Sequence, residues 1–98
     1  MEIVIMKLVS HNKVCPTFGV DFHGVKLTLP MKYLYGFLAM NYDGTVVAYI
    51  HPPLFNNGYW SDTYPHRDDI YVAKVETDIH PSKTLVCISD NRVKKYME

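Results

Sequence analysis

FGVDFHGVKLTL, residues 18–29, admits one pairing that satisfies both faces of a β-hairpin at once. With His23-Gly24 as a two-residue turn, Phe22 meets Val25, Val20 meets Leu27 and Phe18 meets Leu29. Those pairs share an apolar face, while Asp21 opposite Lys26 and Gly19 opposite Thr28 take the other. The turn is chemically consistent with this register. Glycine enters positive φ without cost, and histidine tolerates it better than most residues. A charge pair and an apolar stripe emerging from one register predict an antiparallel hairpin, and the rest of the chain is read around it.

Toward the C-terminus, YLYGFLAMNYDGTVVAYI (33–50) carries Asp43-Gly44, a second two-residue turn signal. It predicts Tyr42 opposite Thr45, Met40 opposite Val47 and Leu38 opposite Tyr49, with Asn41, Ala39 and Phe37 facing Val46, Ala48 and Ile50. Both faces are largely apolar, which predicts a central hairpin covered on two sides or used at a subunit contact. Residues 31–40 also admit a helix, since Pro30 stands just before them; Gly36 and the aromatics Tyr33, Tyr35 and Phe37 weigh against it.

Further out, MEIVIMKLV (1–9) reads as a first strand ending at the polar Ser10–Lys13. DIYVAKVE (69–76) alternates Ile70, Val72 and Lys74 against Tyr71, Ala73 and Val75, the period of a strand. TLVCI (84–88) reads as a short buried strand, and SDNRVKKYME (89–98) as one helical turn capped by Ser89 or Asp90. Six or seven short strands with at most one short helix make the class all-β: a small barrel or sandwich built from antiparallel hairpins, in a single domain over residues 1–98.

Ten basic residues balance ten acidic ones in 98, so the formal net charge is zero. Proteins that grip phosphate backbones usually carry a basic surplus, so the balance argues against a nucleic-acid partner. The one basic cluster, Arg92, Lys94 and Lys95, reads as a solvated tail. No apolar run approaches the ~18 residues needed to span a bilayer, and the start lacks the features of a secretory peptide. A cytoplasmic chain with Cys15 and Cys87 reduced is expected, and no cofactor.

What folding does not explain is HPPLFNNGYWSDTYPHRDD, residues 51–69. It shows neither strand nor helix period, and long loops of this kind in compact domains are usually functional. Asn57-Gly58 marks a tight turn at its crest, which predicts two arms. Tyr59, Trp60 and Tyr64 stand among Asn57, His66 and Arg67: rings for stacking on a base beside donors for its edges and phosphates. The same residue types anchor protein interfaces. A structural alternative is that Trp60 and Phe55 fold back to plug one end of the core.

Catalytic readings are poorer. His-Arg-Asp at 66–68 imitates a kinase catalytic loop without any of its companions. A metal-dependent hydrolase using His51, His66, Asp62 and Asp68 has the right donor types but no recurrent ligand spacing. Cys87 reads as core, and Cys15 has only His11 near it in sequence, so no cysteine nucleophile is assembled.

The run NYDGTVVAYIHPP (41–53), then Gly58-Tyr59-Trp60, DIYVAKVE and finally Ser82-Lys83-Thr84-Leu85 resembles the layout of small phage-encoded β-rich accessory proteins. Many of those carry a tryptophan just before the serine–leucine segment, where this chain has His80-Pro81. The resemblance covers about half the chain and offers no catalytic residue. It implies a non-enzymatic protein acting in the host cytoplasm, where such proteins bind a host factor or sequester a signalling nucleotide to counteract host defence. Together with the residues, it leads to the expectation of a binding protein that holds a nucleotide-like ligand through Asn57, Tyr59, Trp60, Tyr64, His66 and Arg67. The alternative is a protein inhibitor docking the same loop on a host enzyme. The two apolar faces of the 37–50 hairpin add the expectation of a homodimer.

Overall fold

The structure is a computed structural model that describes residues 6–11, 17–62 and 69–93. It is all-β and sandwich-like rather than a closed barrel. Ten strands are formed among the described residues: β1 (Lys7–His11), β2 (Thr17–Phe22), β3 (Val25–Pro30), β4 (Phe37–Met40), β5 (Thr45–Tyr49), β6 (Leu54–Asn56), β7 (Tyr59–Ser61), β8 (Ile70–Glu76), β9 (Val86–Cys87) and β10 (Arg92–Val93). One sheet has the order β1-β8-β5-β4-β9, the second β10-β2-β3, and β6-β7 stand as a separate hairpin.

The β2–β3 register is the one its sequence dictates. Phe18↔Leu29, Val20↔Leu27 and Phe22↔Val25 pair on the buried face, Asp21↔Lys26 and Gly19↔Thr28 on the other. His23 and Gly24 both take positive φ, +50° and +90°, as a two-residue type I′ turn requires. The six apolar side chains of this hairpin meet Leu38, Met40, Val46, Ala48, Val72, Ala73 and Val75 of the larger sheet, with Tyr33 and Ile88 filling in. Each fully buried aliphatic or aromatic of this size contributes about 1.5–3 kcal/mol relative to exposure.

In the second hairpin the strands form, but their register is one residue away from the predicted one. Leu38 faces Ala48 and Met40 faces Val46; Phe37 faces Tyr49 and Ala39 faces Val47. The loop holds three residues, not two. Gly44 N–H donates to the Asn41 carbonyl (2.9 Å), Asn41 N–H to Thr45 O (2.8 Å), and Gly44 sits at φ +88°, the arrangement of a turn followed by a left-handed residue. Gly44 is committed there by β8, because Val75 N–H donates to its carbonyl at 2.9 Å. A Cβ at Gly44 would lie 2.5 Å from the Val75 oxygen. Slipping by one residue exchanges faces, so Ala48 joins the core and Tyr49 turns to the other side.

Other expectations are corrected in detail. Residues 31–40 are neither all strand nor helix: a 3-10 turn occupies Met31–Tyr33 and the strand starts at Phe37. Gly36 separates them, since a Cβ there would overlap the Tyr49 carbonyl oxygen. The strict alternation of β8 fails at Val72 and Ala73, both buried, because the β5 register shifts between Val46 and Val47. The TLVCI strand shrinks to Val86–Cys87 at the sheet edge, half-buried, while Ile88 is the residue fully in the core. The turn after it spans Ile88–Asp90 with Cys87 at its cap position and no side-chain cap, and β10 follows it. The first strand runs through Ser10 and His11 rather than stopping before them. Its predicted start at residues 1–5, Cys15, and Lys94 and Lys95 lie outside the described residues.

His11 ties the two sheets together. Its Nδ1 bonds the Val72 carbonyl (3.0 Å) and its Nε2 accepts the Thr28 main-chain N–H (2.8 Å). A carbonyl only accepts and an N–H only donates, so the ring is neutral with its proton on Nδ1. The contact also occupies an edge N–H of β3, the kind of group that otherwise invites another chain.

Candidate functional site

Within the 51–69 segment, residues 54–61 form a hairpin. Leu54, Phe55 and Asn56 pair with Ser61, Trp60 and Tyr59, closed by Asn57 (φ +52°) and Gly58 (φ +88°). This is again a type I′ turn, built on the Asn-Gly dipeptide that best supplies two positive φ values. Strand alternation then sorts the side chains. Phe55 and Trp60 share one face; Leu54, Asn56, Tyr59 and Ser61 share the other and are exposed.

The hairpin lies over the outer face of β4–β5. Tyr42 N–H donates to Gly58 O at 2.8 Å, and Trp60 N–H donates to the Asn41 side-chain oxygen at 2.7 Å. The Tyr49 hydroxyl donates to the Trp60 carbonyl at 3.2 Å. The Trp60 indole N–H reaches the Pro81 carbonyl at 3.1 Å, and its ring packs on Phe55 with centroids 5.1 Å apart. Phe55 in turn meets His80 edge-on at 6.1 Å. Trp60 is therefore half-buried, with its indole donor and both main-chain groups engaged within the chain.

Beneath Pro81 sits Thr84, the buried polar residue that joins three elements. Its hydroxyl accepts Met40 N–H (2.9 Å) and donates to the Pro81 carbonyl (2.7 Å), and its own carbonyl accepts His23 Nε2–H (2.8 Å). The β2–β3 turn, the β4 end and the 3-10 turn at Pro81–Lys83 are thus fixed relative to one another. That turn is what the Trp60 indole is anchored to.

Of the residues expected to bind, the structure brings Asn57, Tyr59 and Trp60 onto one hairpin. Asn57 is an exposed turn residue, Tyr59 keeps half its surface, and Trp60 faces inward. Tyr64, His66 and Arg67 lie outside the described residues, as does Asp68. His51 and Asp62 are half-buried at the two ends of the hairpin. Among the described residues no three of His, Cys, Asp and Glu converge as metal ligands.

Three participants were missed in the sequence. Asn41 and Tyr49 latch the hairpin, and Tyr42, three-quarters exposed, lies against Gly58, where a Cβ would sit 3.2 Å from its own Cβ. Nothing in the 33–50 pattern distinguishes these from ordinary strand and turn residues. Next to Tyr42, Asp43 has its carboxyl held below the usual 3.8, chiefly by its hydrogen bond with the Thr45 side chain; burial opposes this, while Thr45 N–H (3.0 Å) and the Lys74 charge assist.

The second apolar face of the 37–50 hairpin is covered in part within the chain, with Phe37 and Val47 left half-buried. Ala39 and Tyr49 are buried under β6–β7 without a second copy. That cover accounts for part of the face from which a homodimer is expected, and Phe37 and Val47 keep partial exposure there. Comparison with known protein families, characterised proteins and solved structures returned no match. Among the described residues no helix is long and apolar enough to cross a membrane.

Proposed function

We propose that the chain is a non-enzymatic binding protein that docks on a protein partner through the outer face of the 54–61 hairpin. The observation carrying this reading is the division of that hairpin: Trp60 and Phe55 anchor it inward, while Leu54, Asn56 and Tyr59 point out. Leu54 is 64% exposed, Tyr59 50%, and Tyr42 beside the turn 75%. A rigid tyrosine- and asparagine-rich turn offers large contact area at low entropic cost, the composition favoured in binding loops. The nucleotide reading offers Trp60, Tyr59 or Tyr64 as the ring that stacks on a base; of these, Trp60 is packed on Phe55 with its N–H on Pro81, while Tyr59 is half exposed on the outer face. The phage-protein resemblance makes a host protein the partner to look for, in the host cytoplasm.

The test is photocrosslinking from position 54 or 59 in host lysate, against a control crosslinker at Lys26 on β3. The reading requires one adduct specific to the hairpin positions, and direct binding of the purified partner to the unlabelled chain that is lost in a Leu54→Ser/Tyr59→Ala chain that still folds. Titration calorimetry with mono-, di- and cyclic nucleotides gives the opposite outcome: stoichiometric heat abolished by Arg67→Ala would replace the protein partner with a nucleotide. Light scattering of the same sample tests the homodimer.

A further inference from the structure

We propose that Asn57-Gly58 is a self-modification site, where Asn57 loses its side-chain amide through a cyclic imide and so limits the working life of the 54–61 hairpin. The reactive pair is complete in the chain. Asn57 is exposed, and the residue after it is glycine, whose missing Cβ leaves the approach to its nitrogen open. The Gly58 carbonyl is occupied by Tyr42 N–H, whereas the Gly58 N–H has no acceptor among the described residues.

The chemistry needs no enzyme. The Gly58 main-chain nitrogen attacks Asn57 Cγ, forming an N–Cγ bond; the Cγ–Nδ2 bond breaks, and the Gly58 proton leaves with the amide as ammonia. Water then opens the imide. Cleavage of the new N–Cγ bond yields aspartate; cleavage at the Asn57 main-chain carbonyl yields isoaspartate, in which the chain passes through the former side chain. Isoaspartate lengthens the backbone by one carbon inside a two-residue turn. The Asn56↔Tyr59 pair and the Tyr42–Gly58 hydrogen bond then fall out of register.

Ring closure also requires the main chain to leave the type I′ arrangement held by positive φ at both residues. Hairpin opening therefore gates the reaction. Asn56, the last residue of β6, is an internal control beside the turn, since it precedes Asn57 rather than glycine.

The full chain is incubated in mildly alkaline buffer and mapped by peptide mass spectrometry with an isoaspartate-specific assay, beside the same chain in urea and an Asn57→Gly chain. Gly-Gly keeps the turn chemistry but has no amide to lose. The expected result is aspartate and isoaspartate at position 57 of the native chain, none at Asn56, and none at position 57 in Asn57→Gly. If the native chain stays intact while the urea sample converts, the turn protects Asn57 and the proposal fails. It also fails if Asn56 converts as fast.

Discussion

The Tyr49 hydroxyl donates to the Trp60 main-chain carbonyl at 3.2 Å, joining a ring buried in the five-stranded sheet to the hairpin that covers it. Tyr49→Phe keeps the ring and deletes this bond alone. It should cost about 1 kcal/mol, seen as a lower urea midpoint at unchanged slope. Amide exchange should quicken at Tyr59–Ser61 and not in β2–β3. An unaltered exchange pattern would mean that the latch resides in Asn41 and Pro81 instead.

His11 joins the sheets through an acceptor nitrogen, so losing it strands a main-chain donor. His11→Ala leaves Thr28 N–H without its partner and should cost about 1–3 kcal/mol. The same variant exposes an edge of β3, so aggregation on refolding should rise at matched stability. Denaturant unfolding and turbidity check the two effects separately.

Gly36 is needed for closeness rather than for a special dihedral. A methyl group there meets the Tyr49 carbonyl, a main-chain atom of the central sheet that cannot swing aside. Gly36→Ala should cost about 1–3 kcal/mol, measurable as a drop in Tm. A neutral result would show that β4 and β5 can part locally.

Asp43 sets an acid limb of stability. Its carboxyl titrates below 3.8 in the folded chain, first because of the Thr45 side-chain hydrogen bond. A depressed folded value means the contribution is fully present above the unfolded value and is lost as pH falls from 3.8 through the lower folded one. Asp43→Asn should therefore flatten the stability profile over that acid range and leave its shape at neutral pH unchanged. Urea titrations at stepped pH decide it.

Ala48 belongs to the core, opposite Leu38 and without exposure. Ala48→Arg accordingly buries a guanidinium between the sheets and should unfold the chain rather than separate two copies. Circular dichroism and light scattering on one sample distinguish loss of structure from loss of a dimer.

How far the fold could be read depended on how local its causes were. Phe18–Leu29 specified its own register, because a two-residue turn and an alternating stripe agree within twelve residues. Asn57-Gly58 specified its turn for the same reason. Asp43-Gly44 suits either a two- or a three-residue loop, and Gly44 is settled in the latter by a hydrogen bond from Val75, a strand away. The fate of Trp60 was equally non-local. Its composition allows a stacking platform or a plug, and what turns it inward is a carbonyl at Pro81 that Thr84 holds in place. The sequence by itself determined an all-β chain and two of its tight turns, since those follow from backbone sterics and side-chain period. Only the tertiary structure decided which face of the second hairpin is core and which aromatics of the loop meet solvent. Those choices rest on hydrogen bonds between segments that become neighbours only when the chain has folded.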